Sequence, residues 1–327
     1  MKRTCFVVVM VALASFLAMS SSVGLAGDQF PQKDTTLIVP YSPGGGTDVM
    51  ARTIVNIVEK YDLYPKEMAV VNKQGGGGAV GKSYVLKQRA DGYTFTAADI
   101  GNAITPIVVP STNWTIDDWL YIANMVFDYN ALCVKTGSYK DIHAFIKTAK
   151  EGQSPLKVGG TSAAGGPDSM CNLKLNQAAG TNIIYVPMKG GGEAVTNLLG
   201  GHVDAIWANP SEILGQIEAE KAVALAVAAE KRLASIPAVP TFRELGMNVY
   251  YAQQRGYCAK AGIPEEAKTF WIDLFRKVRE TPEWKDYLKK NSLEDGWLPG
   301  EEFRKWMYDA KDDFVQSLDA LKKSMKK

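Results

Sequence analysis

The chain has 327 residues, 46 % hydrophobic and 22 % charged, which excludes wholesale disorder, a collagen-like chain and a polytopic membrane protein. That length suits two domains or one large α/β unit, and a formal net charge of +2 lacks the basic footprint of a nucleic-acid binder. The one compositional excess is glycine, 30 residues gathered in short blocks, as where backbone must approach something closely.

Residues 1–26 read as a secretory signal peptide. Lys2 and Arg3 precede an apolar run from Phe6 to Met19, too short to span a bilayer, and Gly24 and Ala26 sit at the −3 and −1 places. Leu25-Ala26-Gly27 is followed by Asp28 and not by a lipid-bearing cysteine, which favours a soluble exported product. Cleavage removes two of the 37 basic and none of the 35 acidic residues, so the mature chain is neutral. Cys5 leaves too; Cys133, Cys171 and Cys258 remain, in no CxxC spacing, and read as small buried hydrophobes with at most one bridge among them.

Strand and helix then alternate. Thr36–Pro40 is predicted as a strand, Val49–Tyr61 as a helix, Met68–Asn72 as a strand, Ala79–Arg89 as a helix and Tyr93–Ala98 as a strand, a βαβαβ pattern whose ligands bind beyond the carboxyl ends of the strands. A second block follows: strands at Ala131–Val134, Leu156–Gly159, Ile183–Val186, Val203–Trp207 and Ala222–Ala228, with helices at Asp141–Lys150, Ser169–Ala179 and Glu193–Leu199. From Pro264 the tail is predicted helical, ending on an apolar stripe of Phe303, Trp306, Met307, Ala310 and Phe314. The expected architecture is α/β, with two lobes that are each a mostly parallel sheet flanked by helices. The chain crosses between them near Asp128–Ala131 and Tyr250–Gly256.

Several motifs compete for the function. Gly76–Ser83 spells G-x-x-x-x-G-K-[ST], with Asp99 where a dinucleotide binder places its ribose carboxylate. An exported chain meets no nucleotide pool and no second metal-binding carboxylate strand follows, so the segment is read as a tight strand-to-helix turn with an exposed Lys82. An exported α/β hydrolase with Ser162 as nucleophile is the alternative from another class, although Gly160–Ala164 lacks the final glycine of a nucleophile elbow and His143 and His202 are the only histidines. No ligand spacing suggests a metal, and no cofactor is expected.

The stronger constellation is Val39–Asp48. A strand ends, a Pro/Gly loop exposes backbone N–H groups, and Thr47 or Asp48 stands where a helix is capped, which builds an anion site without a fixed cation. Pro187–Glu193 and Gly159–Pro167 repeat the device.

Val39–Arg52, Val71–Gly92, Val186–Asp204 and Pro240–Gly246 together resemble the periplasmic receptors of tripartite tricarboxylate transporters, the Bug receptors, in the family's order over almost the whole mature chain. The resemblance implies a monomeric Venus-flytrap solute receptor without enzymatic activity, delivering a small carboxylate to a large and a small integral membrane subunit. Lobe 1 would comprise residues 27–129 plus 253–327, and lobe 2 residues 130–252. Carried over, the ligand contacts are Ser42, Gly44, Gly45, Thr47 and Asp48, then Ile100, Gly101 and Asn102; lobe 2 adds Thr161, Ser162, Ala163, Gly166, Lys189, Gly190 and Asn209. Two departures stand out: Gly166-Pro167-Asp168-Ser169 where the family often carries a histidine pair after the proline, and Asn72-Lys73-Gln74 in place of Asn-Arg-Pro. The first touches the distal pocket and leaves dicarboxylates, tricarboxylates and aromatic acids all open. Tyr41, Tyr185 and Trp207 are placed to wall an aromatic ring but read better as core.

Overall fold

The computed structural model describes residues 30–109, 111–162 and 165–324. The signal segment and Ala163 lie outside them. Chain order begins β1 (Thr35–Val39), α1 (Gly46–Lys60), β2 (Met68–Asn72), α2 (Ala79–Leu86), β3 (Thr94–Ala98), α3 (Gly101–Val108) and β4 (Trp119–Tyr129). It continues through β5 (Ala131–Lys135), α4 (Ile142–Glu151), β6 (Lys157–Gly160), α5 (Pro167–Ala179), β7 (Ile184–Pro187), α6 (Gly191–Gly200), β8 (Ala205–Ala208), α7 (Pro210–Glu218) and β9 (Ala222–Val227). It closes with β10 (Ala252–Lys260), α8 (Glu265–Glu280), α9 (Pro282–Lys290), β11 (Glu294–Pro299) and α10 (Glu301–Ser324).

Two sheets organise these elements. The first has the order β11-β4-β10-β3-β1-β2 and the second β7-β6-β8-β5-β9. β2, β1 and β3 are parallel, as are β7, β6 and β8, each set joined by helical crossovers. The remaining strands are antiparallel: β10 lies between β3 and β4, and β5 lies between β8 and β9. The mixed character has a topological cause. β10, by which the chain re-enters the first sheet, runs opposite to the parallel set; β4, antiparallel to β10, runs with that set, and β11, antiparallel to β4, runs against it.

Local sequence explains the helices. α1 buries Met50, Ala51, Ile54, Val55, Ile57 and Val58, the i, i+3, i+4 stripe that packs on the sheet. Asp141 caps α4 by accepting the Ala144 N–H at 2.8 Å, and α5 and α6 stop at Gly180 (φ 63°) and Gly201 (φ 73°), left-handed positions that favour glycine.

A single residue, Asn130, separates β4 from β5, so the chain passes from one sheet to the other there and returns between β9 and β10. α10 adds a third tie. Its first half buries Phe303 and Met307, Phe303 edge-on to Tyr121 of β4 at 5.2 Å; further along, Asp313 pairs with Lys174 of α5 at 2.8 Å. A Cβ on Gly165 would lie 3.3 Å from the Phe314 ring, so the loop before α5 also rests on this helix. The tail therefore does not simply return to the first lobe. It also contains the strand β11 where the sequence pattern predicts helix throughout, and Gly296 and Pro299 there are poor helix residues. Among the described residues no helix is long and apolar enough to cross a membrane.

Candidate functional site

The loop after β1 is braced from below by one carboxylate. Asp48 Oδ2 accepts the Gly44 N–H at 2.9 Å and Arg52 Nε at 3.0 Å, while Oδ1 accepts Asn72 Nδ2 at 2.9 Å. Asn72 also donates to the Tyr41 carbonyl at 3.1 Å and accepts Arg52 Nη2 at 3.0 Å. Burial alone would raise the Asp48 carboxyl, but the bonds from Arg52, Gly44 and Asn72 outweigh it and hold it below its ordinary value. Asp48 thus organises the loop and is not presented to it. The helix cap differs from the expectation: Gly45 is the N-cap of α1 and supplies no side-chain cap, while Thr47 and Asp48 fall inside the first turn. Ser42 is exposed, its hydroxyl donating to Gln74 Oε1 at 2.6 Å.

The turn after β3 is set by a buried ion pair. Lys82 has 0 % exposure, and its Nζ donates to Asp99 Oδ1 at 2.8 Å; the same oxygen accepts the Gly101 N–H at 2.7 Å. The Tyr41 hydroxyl donates to Asp99 Oδ2. The exposed Lys82 read from the sequence is therefore corrected: it faces inward because a carboxylate is waiting at the end of β3, and its charge is not offered to a phosphate. Asn102 is wholly buried, accepting the Asp99 N–H at 3.2 Å and donating to Cys258 Sγ at 3.3 Å. Ile100 is buried too and borders a cavity of about 320 Å³ with Tyr250, Tyr251, Ala252 and Trp306.

In the second lobe, Thr161 and Ser162 follow β6, and their N–H groups are already engaged. Asp168 Oδ2 accepts Thr161 N at 2.5 Å, Ser162 N at 3.1 Å and Thr161 Oγ1 at 3.2 Å; Oδ1 accepts Asn130 Nδ2 at 2.6 Å. Burial raises the Asp168 carboxyl, with the Thr161, Asn130 and Ser162 donors pulling the other way. Ser162 Oγ accepts the N–H groups of Asp168 at 3.0 Å and Ser169 at 3.2 Å and meets the Tyr185 hydroxyl at 3.4 Å. Those partners include neither histidine, so the nucleophile of the hydrolase alternative is not assembled. Gly166 and Gly190 are the N-caps of α5 and α6, both without side-chain caps, and Lys189 N donates to Glu193 Oε2 at 2.8 Å. Trp207 is core, packed on Phe242 at 5.7 Å, and all three described cysteines are buried and free.

A polar network that sequence reasoning missed connects these loops. An ideal Cβ on Gly46 would lie 2.7 Å from Arg255 Nη1, so the guanidinium rests against the start of α1. Arg255 Nη2 pairs with Asp128 Oδ2 at 2.6 Å, and Asn209 Nδ2 donates to Asp128 Oδ1 at 2.7 Å. Asn209 in turn shares a capping box with Glu212, whose Oε1 would stand 2.6 Å from a Cβ on Gly191. Burial pushes Asp128 up to about 6, Arg255 and Asn209 partly offset it, and the charge of Asp168 adds to it. The contacts run without a break from the loop after β1, through the strand crossing at Asp128–Asn130, to the loops after β6, β7 and β8. The only sequence signal for Arg255 and Asp128 was a charge inside a long, otherwise buried segment, where an isolated ion would be costly without a partner.

A family model described as the tripartite tricarboxylate transporter family receptor matches residues 58–313. The protein BugT of Bordetella pertussis is 31 % identical over 232 residues, covering 70 % of this chain and 70 % of its own. The crystal structure of a TctC solute binding protein from Polaromonas superposes with a TM-score of 0.78 at 26 % identity, covering 89 % of this chain and 99 % of that one. An R. palustris protein solved with adipate has the same fold, with a TM-score of 0.75, 24 % identity and coverage of 89 % and 97 %.

Proposed function

The chain belongs to the family of tripartite tricarboxylate transporter receptors, and from that premise we propose that it is a periplasmic receptor that captures a small carboxylate between its lobes and hands it to the transporter's two membrane subunits. The observation that carries this reading is the network from Gly46 through Arg255, Asp128 and Asn209 to Glu212 and Gly191, which ties the loops after β1, β7 and β8 together across the two sheets. Strand membership supports the division into residues 27–129 plus 253–327 and residues 130–252.

Ligand contacts are assigned to the exposed face of the first loop, Ser42, Gly44, Gly45 and Thr47, to Ile100 and Gly101, and to Thr161, Ser162, Ala163, Gly166, Lys189, Gly190 and Asn209 opposite. Asp48 and Asn102 act behind the surface as supports. The glycine N-caps of α1 and α6 leave first-turn N–H groups and a positive helix end available to an anion, and charge-assisted bonds of about 1.5–3 kcal/mol each make a handful of donors sufficient for micromolar binding. The test is thermal unfolding of the mature protein with carboxylates of three to six carbons, adipate included. A true ligand at a hundred times its Kd stabilises by about 2.7 kcal/mol and raises the midpoint. A midpoint that no carboxylate moves sinks the reading.

A further inference from the structure

The second-lobe cradle is occupied by the protein's own carboxylate. Asp168, 5 % exposed, collects the two backbone N–H groups and the hydroxyl that Thr161 and Ser162 offer, together with the Asn130 amide. Four donors come close to saturating a carboxylate, which has about four lone-pair sites. Asp128 lies within electrostatic reach of Asp168, and both act on Glu212. Against these three acids the network sets one cation, Arg255, and that cation is turned toward Gly46 in the first lobe. The two ends of the cleft are therefore unlike: one presents an uncapped helix start beside a guanidinium, the other a buried anion holding the local donors.

We propose that Asp168 is a specificity-determining residue, which limits the ligand to a single carboxylate, bound at the first-lobe loop, with an uncharged or cationic far end against the second lobe. This rests on the reading of the site as a carboxylate receptor. A second ionised carboxylate on the ligand would have to displace Asp168 from its donors or sit beside it with Lys189 as the one assigned contact of opposite charge on that wall, and like charges sharing a site are strongly disfavoured. Discrimination therefore comes from a repulsive element built into the wall.

Calorimetry with length-matched probes tests it: ω-hydroxy acids, ω-amino acids and α,ω-dicarboxylates of three to six carbons, on the mature protein and on Asp168→Ala and Asp168→Asn. The native protein should bind its best monocarboxylate at least tenfold tighter than the dicarboxylate of equal length. Asp168→Ala frees the Thr161, Ser162 and Asn130 donors and should gain at least tenfold for the dicarboxylate. Asp168→Asn keeps the side-chain shape, removes the charge and should narrow the ratio even if the alanine variant folds poorly. A native preference for dicarboxylates, or a ratio unchanged in the variants that fold, overturns the assignment while leaving the receptor reading intact. Failure of every probe to bind the native protein overturns both.

Discussion

Lys82 shows how a residue's environment reverses the meaning of its motif. Its spelling places it on a phosphate, yet the side chain is buried against Asp99, which in turn fixes Gly101 and receives the Tyr41 hydroxyl. Removing the ammonium leaves an anion of low exposure without its cation, and breaking one partner of a buried pair costs about 3 kcal/mol or more. Lys82→Ala should thus lower the unfolding free energy by about 3 kcal/mol and weaken carboxylate binding through a loosened 99–102 turn, where a surface lysine would give less than about 0.5 kcal/mol. Urea denaturation of the variant decides between the two: an unchanged midpoint would show that the pair contributes nothing. Asp48 and Asn102 carry the same lesson. The motif marks the loops that carry both, but whether a polar side chain faces outward or the loop's underside depends on partners, which for Asp48 are Asn72, 24 residues away, and Arg52, four residues away.

At the level of elements, the parallel units were readable because each carries its own local signal: a β-branched run, a glycine turn and a helical stripe. The strands that join them were not. β4 is buried along most of its length, with no apolar–polar alternation to mark it, and β10 carries Gln253, Gln254 and Arg255 in a buried setting where polarity argues against a strand. α3 has Ile100 as its N-cap, without a side-chain cap, and contains Pro106, so it carries no clear helix signal. β10 is nonetheless the seam of the first sheet, paired on one side with β3 and on the other with β4, with register shifts at Arg255/Gly256 and Tyr257/Cys258. Gly256 permits that seam: a Cβ there would run into the Ala123 carbonyl oxygen and lie 2.8 Å from both Asn124 Cα and the Phe303 ring. Two of those contacts are backbone and cannot swing aside. Gly256→Ala should destabilise the protein by about 3 kcal/mol, the upper range for overpacking, and Gly262→Ala, with open space but φ 89°, by about 1 kcal/mol through backbone strain alone. Equal losses in the two variants, read by thermal unfolding, would remove the packing account.

Taken as one body, the molecule has two sheets joined at Asn130, at the segment entering β10, and along α10. The first two connections are short enough to hinge, since a few residues at strand ends absorb a change in dihedral angles while each core stays packed. The third constrains how they move. Phe303 and Met307 anchor the start of α10 in the first lobe, whereas Asp313 and Phe314 meet α5 and Gly165 of the second, so closure must shift the contact at the helix's far half and leave its near half unchanged. The Lys174–Asp313 pair has one partner half exposed, and such a pair contributes at most about 1 kcal/mol, little enough for closure to break and reform it. A ligand moves this equilibrium only by its differential affinity for the closed form, which the contacts supplied from both lobes provide. Binding of a confirmed carboxylate should accordingly shrink the scattering radius and slow hydrogen exchange in Ser42–Thr47 and around Thr161–Ser162 together. It should change exchange in residues 311–318 while leaving 303–307 as they were. Protection of one loop set alone would mean a one-sided pocket. A uniform response along α10 would mean that the helix travels with a single lobe, and the clamp would then turn on the two strand crossings only.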